Sequence, residues 1–217
     1  MVFRLAPDLP ALFPDPELAD ADGLLAVEGD QSPERLVAAY RQGIFPWFDA
    51  LPCLWWSPDP RCVVLPENLH IPKRLRRVLR SERFTIRRDT AFAEVCRLCA
   101  CTPRPGQRGT WITPEMFAAY VRLHQLGLAH SVEAWQDDRL TGGMYGVQIG
   151  RAFFGESMFY LTPDASKVAF ARFALDFYDQ GGHFIDCQQV TPHMLRFGAR
   201  PLPRREFLDR LRIAVPV

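Results

Sequence analysis

The chain lacks any long apolar run. No stretch approaches the ~20 residues that cross a bilayer, and the longest are interrupted by charge or proline. Its opening, MVFRLAPDLPALFPDPELAD, holds no apolar segment of signal-peptide length and carries several acids. A cytoplasmic protein without a membrane partner is expected. The sequence also has no P-loop, no GxGxxG turn and no HExxH pair, so the common nucleotide, dinucleotide and metalloprotease signatures are missing. Six cysteines stand at 53, 62, 96, 99, 101 and 187. The spacing Cys96-x-x-Cys99-x-Cys101 invites a zinc reading, but Cys96 and Cys99 fall within a helical pattern and no fourth Cys or His follows at knuckle spacing. Free thiols and no metal are expected. Glycine is missing from FYLTPDASK, the lead into the longest predicted helix. A glycine turn there would offer backbone N–H groups to the pyrophosphate of coenzyme A. An acyltransferase built on this chain should therefore use another donor, with no cofactor.

What the chain does have is an ordinary globular balance: 217 residues, 48% hydrophobic and 24% charged, enough for a sizeable core. Residues 1–31 are rich in Pro and Asp and lead into a short strand, GLLAVEGD. Ser32-Pro33-Glu34 caps a helix that Gly43 ends. The proline spacing of IFPWFDALPCLWWSPDPRCVVL then forbids a helix. Residues 1–65 form a small N-terminal subdomain in this division, and 66–217 the main domain. From Pro72 a helix is predicted, then a strand (FTIRR), a helix from Asp89 to about Ala100, and a loop over Gly106–Gly109. Thr113-Pro114-Glu115 opens another helix, closed at Gly127. The period next drops to two: SVEAWQ, LTGGMYGVQIG and AFFGESMF read as three antiparallel strands. A long helix from Asp164, the strand HFIDCQQV and two shorter helices complete the chain. This order predicts an α+β fold with a mixed sheet flanked by helices, and the meander–helix–strand succession is similar to the N-acetyltransferase-like (GNAT) fold.

Three constellations stand out. Residues 72–88 hold eight Lys/Arg and one acid, a local charge of +7 that leaves −6 for the remainder of a chain whose net charge is +1. Such asymmetry suits a phosphate backbone as well as a solvated helix face. Trp47, Phe48, Trp55, Trp56 and Trp111 sit in loops or at a helix start. Trp55 and Trp56 read as packing, whereas Trp47 and Trp111 suit either packing or base stacking. In FIDCQQ, Asp186 and Gln188 lie two apart and share a strand face, with Glu156 at the end of another predicted strand. An acid and an amide so placed can hold a reacting amine, or simply stand at a solvated strand end.

Taken together these blocks resemble the leucyl/phenylalanyl-tRNA–protein transferase family. The matching segments are GLLAVEGDQSPERLVAAYRQGIFPWF (23–48), LWWSPDPR (54–61), LHIPKRLRR (69–77), GTWIT (109–113), GGMYGV (142–147), GESMF (155–159), ASK (165–167), FIDCQ (184–188) and FGARPLPRREF (197–207). They run in order over nearly the whole chain. The resemblance implies transfer of Leu, Phe or sometimes Met from aminoacyl-tRNA to a protein with N-terminal Arg or Lys, marking that protein for degradation. It implies that Trp47 and Trp111 lie near the terminal adenosine. Met144, Phe153, Met158, Phe173 and Ile185 would line an apolar pocket for the donor side chain. Glu156, Asp186 and Gln188 fall to the reaction centre, and Lys73, Arg74, Arg76, Arg77 and Arg80 to the acceptor stem. Two places depart from the family pattern: Tyr160-Leu161 where Ser-Arg is common, and Arg196-Phe197 where Ser-Leu is common.

The residue types suit that chemistry. An aminoacyl ester is already activated, and a protein α-amine of pKa about 7.7–8.0 is partly neutral at pH 7. Orientation and charge stabilisation are what remain to be supplied. The expected arrangement has Gln188 accepting a hydrogen bond from the amine, oriented by Asp186, with Glu156 on the donor's α-ammonium. A monomer is expected.

Overall fold

The computed structural model describes residues 2–6, 8–9, 11–48, 51–102 and 110–216; the predicted Gly106–Gly109 loop and Gly109 of GTWIT lie outside them. The N-terminal chain builds a small sheet from β1 (Phe3–Leu5), parallel to β2 (Leu24–Glu28). Helix α1 (Pro33–Arg41) begins where the sequence predicts, with the Ser32 hydroxyl accepting from the Arg35 N–H, and Gly43 follows it at φ +76°. β3 (Phe45–Pro46) and β4 (Leu54–Trp56) close this sheet in the order β1-β2-β4-β3.

β5 (Arg61–Val64) then leaves for a second, larger sheet. Helix α2 (Lys73–Arg80), β6 (Thr85–Arg88), α3 (Phe92–Cys101) and α4 (Pro114–Gln125) follow. The meander comprises β7 (Ala129–Gln136), β8 (Arg139–Ile149) and β9 (Ala152–Tyr160); α5 (Ala165–Asp179) crosses to β10 (Phe184–Gln188). The short α6 (Pro192–Leu195), β11 (Arg200–Leu202) and α7 (Arg204–Ala214) complete it. The seven strands run β11-β5-β10-β9-β8-β7-β6, and among the described pairs of this sheet only β9–β10 is parallel. This is the α+β architecture with a mixed sheet that the sequence predicts.

Three differences have local causes. β1 and β11 are three-residue strands, too short for a periodic signal. Helix α3 starts at Phe92, because Asp89 adopts φ +59° and its carboxylate accepts from the Ser131 N–H. Residues 61–64, placed with the first subdomain by the proline-rich pattern, are an interior strand of the large sheet.

Each face of that sheet carries a core. One face packs α1, α3, α4, α7 and the small sheet around Leu36, Trp55, Met116, Phe154, Phe184 and Phe207. The other packs α2, α5 and α6 around Leu75, Phe153, Val168, Phe170, Ile185 and Phe197. Helix α5 sits hard against β8: a Cβ on Gly142 would stand 2.6 Å from the Ala165 Cβ and 2.9 Å from the Ser166 nitrogen. Glycine there admits the helix to the sheet.

Candidate active site

β9 and β10 pair only from Phe184↔Ala152 to Asp186↔Phe154. Beyond that register both strands bulge. On β9, Tyr145 faces Ser157 and Gly146 faces Gly155, so Glu156 is an extra residue. On β10, Asp186 faces Val63 and Gln188 faces Cys62, so Cys187 is extra. Bulges re-aim side chains and end pairing. Here they leave Glu156 and Gln188 beside each other where the strands separate.

Glu156 is the hub. The Tyr40 hydroxyl lies 2.8 Å from its Oε1, the Tyr120 hydroxyl 2.7 Å from its Oε2, and the Gln188 Nε2 donates to Oε1 at 3.0 Å. The two phenol oxygens are themselves 2.8 Å apart. Both phenols are fully buried. Three contacts join two phenols and one carboxyl, yet two phenols supply only two protons. The ring closes when Glu156 itself carries the third. Its acidity agrees: burial raises the Glu156 carboxyl from 4.5 to about 7, the charge of Asp186 adds to this, and the hydrogen bonds from Tyr120, Tyr40 and Gln188 oppose it.

Asp186 is fully buried and belongs to Arg61. The Arg61 Nε donates to Oδ1 at 2.9 Å and Nη2 to Oδ2 at 2.6 Å, a bidentate pair. Arg61 Nη1 donates to the Gly43 carbonyl, and its guanidinium lies 4.6 Å from the ring centres of both Phe45 and Phe207. The sequence analysis expects Asp186 to orient Gln188, and the hydrogen bond between them runs through the Gln188 backbone. Asp186 accepts the Gln188 backbone N–H at 2.8 Å, holding Gln188 at φ +61°. The Gln188 amide is held by Glu156 instead. Gln188 reaches Glu156 and the phenols by way of the bulge at Cys187, which breaks the strand's period of two.

Of the other predicted residues, Met144, Phe153, Phe173 and Ile185 are buried and Met158 partly so, all on the α5 face of the sheet. Phe153 and Phe173 pack with ring centres 4.3 Å apart. These five therefore sit across the sheet from the phenols. Trp47 is 43% exposed and edge-on to Trp56. Trp111 is buried, edge-on to Tyr120. Trp55 is core, as read from the sequence. Lys73, Arg74, Arg76, Arg77 and Arg80 are all exposed on α2, whose Leu75 faces inward. Phe197 packs on Phe170 in the core, whereas Tyr160 and Leu161 are exposed. Cys96 and Cys99 are buried in α3.

Sequence reasoning missed Tyr40, Tyr120 and Arg61. A signal existed for the first two: Tyr40 stands four residues after Leu36, and Tyr120 four after Met116, on the apolar stripes of α1 and α4. A buried tyrosine needs a partner for its hydroxyl.

Comparison with known proteins places the chain in a family. The profile of leucyl/phenylalanyl-tRNA protein transferase matches residues 63–212, and that of the same transferase's N-terminal domain matches 29–59. A leucyl/phenylalanyl-tRNA–protein transferase of Nitratidesulfovibrio vulgaris (strain DP4) is 60% identical over 96% of this chain and 89% of its own length. That of Anaeromyxobacter sp. (strain K) is 60% identical over 97% and 90%, and that of Myxococcus xanthus (strain DK1622) 54% over 97% and 90%. Among solved structures, a GCN5-related N-acetyltransferase from Kribbella flavida aligns with a TM-score of 0.42 at 13% identity, over 81% of this chain and 63% of that one. A glucosamine N-acetyltransferase region of a fungal multi-domain β-N-acetylglucosaminidase gives 0.46 at 10%, over 82% and 23%. Likeness at that level carries no functional argument; the profiles and the relatives do. The chain belongs to the leucyl/phenylalanyl-tRNA–protein transferase family, and is an aminoacyltransferase.

Proposed function

We propose that this chain moves a leucyl or phenylalanyl group, with methionyl as a further donor, from charged tRNA to the α-amine of proteins beginning with Arg or Lys. In the cytoplasm this would mark them for degradation. The observation that carries the reading is the Glu156–Gln188 contact at the parting of β9 and β10, with buried phenols on one side and an apolar core on the other.

Because Gln188 Nε2 is committed to Glu156, its Oε1 is the atom left to accept a hydrogen from the attacking amine. The amine nitrogen bonds to the ester carbonyl carbon, the carbon–oxygen bond to the ribose breaks, and the amine proton passes to the departing ribose oxygen, which leaves as a hydroxyl. A glutamine amide is too weak a base to keep that proton, so its work is orientation. Glu156, once ionised, holds the donor's α-ammonium. Asp186 acts through the backbone of Gln188 and is a positioning residue. The donor side chain enters between the strands toward Phe153, Met158 and Ile185, with Met144 and Phe173 behind. Methionines adapt to Leu and Phe shapes; polar side chains are refused because their groups would be buried without partners. Exposed Trp47 stacks on the terminal adenosine, and buried Trp111 supports that wall through Tyr120. The exposed cations of α2 meet the acceptor stem. A neighbouring groove of about 330 Å³, where Arg76, Arg80 and Arg172 overlie Leu79 and Leu175, offers room for its backbone.

The test is transfer of labelled leucine from Leu-tRNA to a protein beginning with Arg, with a Gly-starting control. Labelling of the Arg protein alone supports both the activity and the acceptor rule. Tight tRNA binding without labelling would reduce the chain to an RNA-binding protein and overturn the proposal.

A further inference from the structure

Helix α5 begins with hydrogen-bond donors that the mechanism above does not use. Its N-cap, Asp164, stands at φ +72° and its carboxylate does not cap the helix. That carboxylate instead accepts from Lys167 Nζ at 2.9 Å and lies 3.9 Å from Arg74 Nη2. The Ala165 N–H reaches the Thr162 carbonyl and the Val168 N–H that of Asp164. The Ser166 and Lys167 N–H groups between them are left without acceptors among the described residues. The Ser166 side chain is a separate observation. Ser166 is 4% exposed, and its hydroxyl makes no hydrogen bond among the described residues. A buried hydroxyl without a partner is unfavourable. Because the Cα–Cβ bonds of a helix tilt toward its N-terminus, this hydroxyl projects to the same end as the two free N–H groups.

The place is beside the donor pocket. A Cβ on Gly142 would stand 2.9 Å from the Ser166 nitrogen, and Met144, a proposed wall of that pocket, is two residues along β8. Two strand residues span about 7 Å. The local charge suits an anion, since Lys167 and Arg74 stand against the single carboxylate of Asp164, and the N-terminus of a 15-residue helix adds its dipole. We infer that the Ser166 and Lys167 N–H groups and the Ser166 hydroxyl bind the phosphate that joins the terminal adenosine to the rest of the donor tRNA. This rests on the function proposed above, which brings the 3′ end of the tRNA to the pocket. Three donors at one helix end suit the oxygens of a single phosphate. The glycine turn that would wrap a diphosphate is missing from FYLTPDASK, which agrees with a phosphodiester in its place. Arg74 then links this site to the cationic face of α2.

The experiment uses two small donors that differ by the phosphate alone: leucine esterified to the 3′-hydroxyl of adenosine, and of adenosine 5′-phosphate. The parent should take the phosphorylated donor with a KM at least about tenfold lower, and equal KM values would overturn the site. In Ser166→Ala this preference should shrink about tenfold, the worth of one hydrogen bond to a charged group. A preference unchanged in that variant overturns the site, and so does a rise of both KM values together, which would make Ser166 a packing residue. Should the buried substitution unfold the protein, Lys167→Ala, at a partly exposed position, should shrink the preference in the same direction. Titration with the uncharged trinucleotide CCA decides the site without any transfer. It should bind the parent about tenfold more tightly than Ser166→Ala, and equal binding overturns the site. Coenzyme A at the same concentration should not displace the trinucleotide; displacement would assign these donors to a diphosphate and overturn the phosphodiester. Should the parent transfer from neither small donor nor from Leu-tRNA, the proposed function fails, while the titration still decides the phosphate site.

Discussion

At the scale of single residues, the proposed mechanism divides the site into groups that would touch substrate and groups that hold them. Gln188→Ala is expected to lower the single-turnover transfer rate about 100-fold at saturating tRNA, while tRNA affinity measured by filter binding stays the same. An unchanged rate would remove Gln188 from the reaction. Arg61→Ala leaves the fully buried Asp186 charge without its partner. Loss of one member of a buried pair costs about 3–5 kcal/mol, which denaturant unfolding should register together with a loss of activity. Glu156 makes the pH dependence legible. Its carboxyl is raised to about 7, so its ionised form accumulates as pH rises through neutrality and the transfer rate should rise with it. Tyr120→Phe removes the hydrogen bond that most lowers this carboxyl's pKa, so the rise should move to higher pH. Stability runs the opposite way. A carboxyl whose pKa is higher folded than unfolded stabilises fully below the unfolded value, and loses that contribution as pH climbs through the folded one. The melting temperature of Glu156→Gln should therefore fall less than the parent's between about pH 5 and pH 8.

At the scale of elements, what could be read in advance follows from how local each signal is. Helix α1 was legible because Ser32, Pro33 and Gly43 act within a few residues of one another. The meander was legible from period two. The bulges at Glu156 and Cys187 were not, because an extra residue is defined only against the strand beside it. The Asp186–Arg61 pair was likewise hidden, since its members stand 125 positions apart. Gly146 shows the same limit: it reads as an ordinary strand glycine, yet a Cβ there would meet the Phe154 carbonyl oxygen at 2.3 Å and the Phe153 ring at 2.5 Å. Helix α2 is the opposite case, with its basic face plain in the sequence and exposed in the fold. Charge reversal at Arg77 and Arg80 should weaken tRNA binding and flatten its dependence on salt, by about 0.7–0.9 in the log–log slope for each phosphate no longer neutralised. An unchanged slope would move the RNA to another surface.

At the scale of the whole molecule, the small N-terminal sheet and the large one share a core, in which Trp55 and Leu36 belong to the same cluster as Phe154 and Phe184. Residues 66–217 made alone should not fold cooperatively. They lack Tyr40 and Arg61 as well as a large part of that cluster, and thermal circular dichroism should show no sharp transition. A sharp one would mean that the main domain stands by itself. The guanidinium of Arg61 carries a consequence for biosynthesis. One of the two rings that enclose it, Phe207, lies on α7, far downstream of the other, Phe45. A chain still emerging from the ribosome has its phenols and its basic helix long before it has that second ring. The support beneath Asp186 and Gln188 is therefore completed only once α7 is in place.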